Sequence, residues 1–443
     1  MYTVNVGYAR ADITPQESVP LRGYGATSNR MSNNVLDPLF ATCIAFTCDE
    51  QTVLLYGLDL CTTSDAWPER IRPAISKALG LAEECILASS THTHSGPDTA
   101  NDDEPSIPRY FDYLEQQVIA AAKAALADRK PAAMFTASAQ TKAMNFVRRY
   151  ILEDGTPAGD NYGHFDLSPI KCHETLADPT MQFIKFVREG GKDILMVNFQ
   201  THPHRTGGSK RYDVSADIVG AMRRETEQRL DCHFAYFTGG SGNVNPTSRI
   251  KEENVYSDYL EHGKAMAEVA VSVEGSYAPA QLGPLQFKWN YLNCPADHTQ
   301  DHLAEEGARI YSEFARTGDR VTWTAEAKRL GFNSVYHAGA VKGKSKRPRM
   351  LEVPLAALSL GDVAFVFSPY EMFDTNGMYI KEHSPFAMTF IMTCANRSNM
   401  GYVPSKLGFE NGGYSSDACW FLPGAGERFA DELVDMLRNL KQE

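Results

Sequence analysis

Two histidine pairs and one carboxylate carry the chemical promise of this sequence. Thr91-His92-Thr93-His94-Ser95-Gly96-Pro97 follows an apolar run, Cys85-Ile86-Leu87-Ala88-Ser89-Ser90, that predicts a buried strand. Residues two apart in a strand share a face, so His92 and His94 are expected to project together from its C-terminal end, where Gly96-Pro97 stops it. Two imidazoles on one face suit a metal ion or a proton relay. Alone, such a pair is more often a hydrogen-bonded structural one. A second pair, however, sits in Gln200-Thr201-His202-Pro203-His204, again after an apolar run and again broken by proline. Two such pairs at equivalent strand ends are hard to ascribe to packing. Glu371, in Ser368-Pro369-Tyr370-Glu371, follows a third apolar run. An unpaired charge there is costly, and a nearby cation would offset it.

Other residues add to this set. Arg148-Arg149 reads as a surface pair or as a clamp for an oxyanion or carboxylate. Gly239-Gly240-Ser241-Gly242-Asn243-Val244-Asn245-Pro246 can aim backbone N–H groups at an anion but is not a dinucleotide fingerprint. Asp59, near a strand end, is a surface acid, a helix cap or an acceptor orienting a metal-bound histidine. Arg22-Gly23-Tyr24-Gly25 reads as a turn or as backbone close to a ligand. His298 and His302, four apart with Asp297 and Asp301 alongside, have helical metal-binding spacing, but exposed helix faces often carry such residues.

Positioning these residues needs a layered core. Strands are expected over residues 2–12, 40–47, 52–60, 133–143, 181–188, 192–201, 233–238, 351–360, 362–367 and 387–393. Helices are expected over 66–80, 113–128, 213–230 with Ser215 as a candidate cap, 256–273 and 425–440. The alternation predicts an α/β fold of layered mixed β-sheets flanked by helices, with the site at strand C-terminal ends. Residues 1–443 read as a single domain. Residues 283–350, charged and broken into helical pieces, read as an insertion or lid-like segment, and the basic run Lys342–Arg349 as a solvated loop.

Whole-chain properties exclude several classes. A net charge of −12 argues against a nucleic-acid partner. No stretch reaches the roughly 18 apolar residues of a membrane span. The N-terminus lacks a basic region and an apolar core, so no signal peptide is expected. Nine scattered cysteines without a Cys-x-x-Cys pair fit reduced thiols in a cytoplasm. A homo-oligomer is compatible with all of this.

Taken in order, these landmarks resemble the neutral/alkaline ceramidase family. They are Gly7-Tyr8-Ala9-Arg10-Ala11-Asp12-Ile13-Thr14, Thr91–Pro97, Thr201-His202-Pro203, Gly242-Asn243-Val244-Asn245-Pro246, Pro369-Tyr370-Glu371, and Tyr402 with Tyr414. The resemblance covers a catalytic domain without the family's C-terminal immunoglobulin-like domain. It implies a zinc-dependent amidohydrolase that cleaves an N-acyl bond with a metal-activated water. It further implies Zn2+ ligands His92, His202, Glu371 and Tyr402, with His94 contacting the reacting carbonyl. Arg148 and Tyr414 would hold the tetrahedral intermediate, Arg149 being a close alternative to Arg148, and Asp217 falls where the family has a functional aspartate. Two departures bear on the substrate: His204 and Arg205 follow the second metal histidine, and the family's Gly-Asp-Val-Ser-Pro reads Gly-Asn-Val-Asn-Pro. The expected substrate is therefore a lipid amide or a smaller N-acyl compound. The alternatives are a zinc esterase or lactonase, and a non-catalytic binding protein on the same fold.

Overall fold

Alternating side chains in Val4–Asp12 (β1) pair it antiparallel with Phe40–Cys48 (β2), and a turn at Asp49, φ +52°, returns the chain as Gln51–Leu58 (β3). The computed structural model containing these elements describes residues 2–24, 30–101, 103–159, 169–397 and 401–442. Ile86–Ser90 (β4) runs parallel to β3. On the other side of β1 come Lys130–Gln140 (β5), Thr180–Arg188 (β6), Ile194–Phe199 (β7) and His233–Thr238 (β8), the last pair parallel. The order is β8-β7-β6-β5-β1-β2-β3-β4, and a short strand, Ala278–Ala280, joins β5 off this path. Every residue of β4 and β7 is buried, as near-continuous apolar runs require when both faces are covered.

The sheet's two edges approach each other, with β8 packing against β3 and β4. The Thr238 hydroxyl donates to the carbonyl of Thr91 at 2.7 Å. The C-terminal ends of β4 and β7, which precede the two histidine pairs, are thereby brought to one place.

A second sheet, Leu285–Pro295 (β9), Met350–Leu360 (β10), Val363–Phe367 (β11) and Met388–Met392 (β12), lies against the first. Phe46, Phe186, Phe365 and Phe390 fill the space between, with ring centroids 5.6 to 6.3 Å apart. Burying each such ring is worth about 2–3 kcal/mol. Arg72–Leu79 (α1), Ser106–Ala127 (α2), Asp217–Leu230 (α3) and Tyr259–Ser272 (α4) cover the outer face of the large sheet. Between β9 and β10, Ala304–Thr317 (α5), Arg320–Arg329 (α6) and Val335–Ser345 (α7) enclose a small core of Ile310, Ala327, Phe332, Val335 and Val341. Asp374–His383 (α8) and Ala425–Gln442 (α9) cover the second sheet. The result is a layered α/β fold, helices outside and two sheets within.

Several expectations shift. The segment 283–350 opens with an eleven-residue strand, β9, not helix. Its period-two run of Leu285, Phe287 and Trp289 packs on the inner core, a signal masked by the charges that follow. The basic run is not one solvated loop: Lys342 and Lys344 lie in α7, and Lys344 is buried, bonding Asp297 at 2.9 Å. Helix α3 begins at Asp217 rather than 213, and the Ser215 hydroxyl accepts the Asp217 N–H at 2.9 Å. Helix α2 begins at Ser106, upstream of the expected Tyr113, and α4 at Tyr259, where the Asp258 carboxylate caps Leu260 and Glu261. All nine cysteines are free thiols, and only Cys172 is exposed. Among the described residues no helix is long and apolar enough to cross a membrane.

Candidate metal centre

Strand β4 ends at Ser90, so His92 and His94 lie beyond it and strand alternation does not set their direction. A turn does: His92 has φ +67°, a left-handed conformation costing on the order of 1–3 kcal/mol for a residue with a Cβ. The N–H groups of Thr91 and His92 donate to the carbonyls of Leu58 and Leu60, at 2.7 and 2.9 Å, which holds the turn against the end of β3. His92 and His94 then bring their Nε2 atoms to 3.4 Å.

His202 arrives from β7, its ring centroid 4.8 Å from that of His92. Nδ1 of His92 lies 2.7 Å from the carbonyl of Cys61, and Nδ1 of His202 lies 2.9 Å from that of Val244. A carbonyl only accepts, so each Nδ1 carries the hydrogen and each Nε2 offers a lone pair. Glu371 comes from the second sheet. Its Oε2 is 3.0 Å from Nε2 of His202 and 3.4 Å from Nε2 of His92, and all three side chains are at most 1% exposed. Its Oε1 is buried with no hydrogen-bond partner among the described residues. Gly242 permits this approach, since a Cβ there would lie 2.4 Å from the Glu371 carbonyl.

The three groups are therefore all acceptors facing one point, an arrangement that needs a positive charge between them. The electrostatics agree. Burial pushes Glu371 up, but His92 and His202 outweigh it and hold the carboxyl below its usual range. Burial pulls His92 down, but Cys394, Cys61 and Glu371 raise it well above an ordinary imidazole. His202 falls to about 3, through burial first and then the charge of Arg148. A proton on His92 meets the requirement; so does a divalent cation among the three. Two imidazoles and a carboxylate, each imidazole fixed by a backbone acceptor, are a donor set suited to zinc. A second grouping, Cys61 with His92 and His94, shares only His92 with the first. It lacks the carboxylate, and Nδ1 of His92, which faces Cys61, is committed to that residue's carbonyl.

Tyr402 adjoins this centre, directly opposite Glu371 in a two-residue parallel bridge. Burial first, then the charge of Glu371, raises its phenol well above the ordinary tyrosine range, while a hydrogen bond from Arg148 works against the shift. Arg148 stacks 5.4 Å from the Tyr402 ring and donates to the carbonyl of Gly242 at 2.7 Å. The Tyr414 ring is 5.5 Å from that of Tyr402. Arg149 points elsewhere: fully buried, it pairs with Glu174 at 2.8 Å and donates to the carbonyls of Gly408 and Gly412. Of the two arginines, Arg148 is the one beside Tyr402.

His94 is buried, and its Nδ1 has no hydrogen-bond partner among the described residues. Burial, reinforced by His92, His202, His204 and Arg148, lowers it well below an ordinary histidine, so it is neutral at pH 7. Gly23, with φ +120°, lies so close that a Cβ would meet the His94 ring at 2.3 Å. Tyr24 packs edge-on to His94 at 5.3 Å and bonds the carbonyl of His204. Gly25, the other glycine of that loop, lies outside the described residues.

Asp217 lies close enough to His204 for its charge to oppose the lowering of that imidazole by burial. Its carboxylate accepts from the backbone and hydroxyl of Thr206, both at 2.6 Å, and from Ile218 N–H. Thr206 in turn bonds Ser95 at 2.9 Å, so Asp217 ties the loop after His202 to the loop after His94. Among the described residues Asp59 orients no histidine; it pairs with Arg223 at 2.7 Å and caps Phe40 N–H. His298 bonds Asp301, and neither it nor His302 joins a metal-competent group among the described residues.

Sequence reasoning missed the thiols of Cys61 and Cys394, 3.8 and 3.4 Å from Nδ1 of His92, and no local pattern signals them. It placed His204 in the second histidine pair and as a departure from the family pattern, without a role. That ring lies 5.4 Å from His94 and 5.7 Å from His202, with Nε2 2.9 Å from Oδ1 of Asn245. Arg205 turns away to the carbonyl of Tyr256.

No protein-family model and no curated protein matches this chain. Solved structures do. The chain is similar to neutral ceramidase from Pseudomonas aeruginosa, with TM-score 0.70 and 16% identity over 100% of this chain and 75% of that one. It is also similar to a ceramidase complexed with C2, with TM-score 0.72 and 15% identity over 100% and 76%. The resemblance read from the sequence thus extends to the fold over the whole chain.

Proposed function

We propose that this chain, built on the ceramidase fold, is a zinc-dependent hydrolase of amide (N-acyl) bonds. The observation that carries the reading is the convergence of three buried acceptors, Nε2 of His92 and of His202 and the carboxylate of Glu371, at 3.0 to 3.4 Å. These residues would hold the ion, with the Tyr402 oxygen as a fourth ligand. When bound, zinc supplies Lewis acidity, polarising a carbonyl and bringing the pKa of water down toward about 7.

The remaining groups fit acyl transfer. Arg148 keeps a permanent positive charge beside Tyr402, where it can donate to an oxyanion developing on the carbonyl. Tyr414 offers a phenolic O–H on the same side, and removing one such donor typically costs roughly 3–4 kcal/mol of barrier. His94, neutral at pH 7 and next to both metal histidines, is the side chain suited to contact the carbonyl and pass a proton to the leaving nitrogen. The polar pair His204–Asn245 beside His94 favours a compact N-acyl compound over a long-chain ceramide.

Elemental analysis of the purified protein tests the metal assignment. His92→Ala and His202→Ala should lose zinc while His298→Ala retains it; loss in His298→Ala alone would overturn the site. Comparing a short N-acyl amide, its ester analogue and a fluorescent ceramide tests the bond and the chain length.

A further inference from the structure

We propose that the helical unit α5–α7 is a positioning element for Tyr414, acting through Asn333 and Asp417. The inference rests on the reading of Tyr414 as an oxyanion donor. Tyr414 opens a four-residue helix, Tyr414–Asp417, preceded by Gly412 and Gly413 with φ of +63° and +101°. So short a helix cannot sustain its own geometry, so its neighbours must set its orientation.

Those neighbours grip it from two sides. On one side Arg149 donates to the carbonyls of Gly412 and Gly408 at 2.7 and 3.0 Å, and Asn411 donates to Glu174. On the other side the helical unit reaches in. The Asn333 amide donates to the Asp417 carboxylate at 2.6 Å, from the residue immediately before the Ser334 cap of α7. Asn333 is itself held, because its N–H donates to Nδ1 of His337 at 3.0 Å. Asp417 is the last residue of the Tyr414 helix and buried. The same unit takes a second hold nearby. Lys344 bonds Asp297, Asp297 N–H donates to the carbonyl of Trp420 at 2.8 Å, and the Arg347 guanidinium lies 3.0 Å from the Trp420 ring centroid. Trp420 packs edge-on to Tyr370, the neighbour of Glu371. The helices therefore contact the segments bearing both Tyr414 and Glu371.

The test uses Asn333→Ala in the full chain, alone and combined with Tyr414→Phe. Hydrogen exchange of residues 412–418 is expected to quicken about tenfold, the scale of one lost hydrogen bond to a carboxylate, with the melting transition still cooperative. With zinc-loaded protein and a fluorogenic short N-acyl amide, kcat should fall about tenfold at nearly constant KM, and fall no further when Asn333→Ala is added to Tyr414→Phe. Unchanged exchange, or an equal loss of kcat in both backgrounds, overturns the proposal. If the wild-type protein turns over no amide, the amidase reading fails while the exchange measurement still decides the clamp. Should Asn333→Ala not fold, Arg347→Ala releases the second hold and is read by the same exchange and kinetic measurements.

Discussion

Glu371 and Tyr402 face each other in register across a parallel bridge only two residues long. The Glu371 N–H donates to the carbonyl of Gly401 at 2.9 Å, and Phe373 N–H to that of Val403 at 3.2 Å. Backbone pairing thus sets the spacing of a carboxylate and a phenol that lie thirty-one positions apart in the chain. Glu371 meets the imidazoles of the opposing sheet at 3.0 to 3.4 Å.

Glu371→Gln should empty the centre. The neutral amide can donate to an Nε2 lone pair, which removes the need for a cation. Metal analysis should show zinc falling from stoichiometric to near background, while the metal-free variant melts no lower than metal-free wild type. Full zinc retention would remove Glu371 from the ligand set.

The adjacent arginines should separate cleanly. Arg148→Ala is expected to cut kcat by about 10²–10³ with little change in melting temperature, as for a lost oxyanion donor. Arg149→Ala strands Glu174, whose side chain is only 5% exposed, and should cost about 3–5 kcal/mol of stability. Thermal melts and steady-state kinetics check both, and the opposite pattern would reassign the roles.

Tyr414→Phe removes one hydroxyl and little else. A fall of about 100-fold in kcat with unchanged zinc content is expected if the phenol stabilises the oxyanion. A zinc loss instead would make Tyr414 a structural support of the centre.

Acid should loosen the helical unit before the rest of the molecule. Burial, then the charge of Lys344, lowers His337 to about 4, with Asp297 opposing. Asp417 is 3.8 Å away, but Nδ1 of His337 already accepts from Asn333 N–H, so the neutral ring is the one that fits. A folded-state pKa below the unfolded value of 6.5 gives stability that is present above pH 6.5 and lost as pH falls toward 4. The shift corresponds to roughly 3 kcal/mol at most. Limited proteolysis of residues 297–349 should accelerate across that window in wild type and much less in His337→Gln.

Local pattern made much of this legible. The apolar runs ending at Ser90, Phe199 and Phe367 became strands, and the chemistry-bearing residues lie just past their ends. What pattern missed was set by contacts with distant segments. Strand β9 was hidden because its alternation borders a charged stretch. The part Asp217 plays in joining the loops after His94 and His202 through Thr206 was likewise invisible to local pattern.

The order of residue types by itself determined the layered α/β class and the short list of side chains able to hold a metal, because periodicity and strand-end position are properties of neighbouring residues. Only the tertiary structure decided which of them meet. His92 follows the edge strand β4, His202 follows β7, one strand in from the opposite edge, and Glu371 follows a strand of another sheet, so their convergence depends on how the sheets curl and stack. Which arginine lies beside Tyr402 was likewise decided by burial partners, since adjacent side chains with the same chemistry differ only in what the fold places around them.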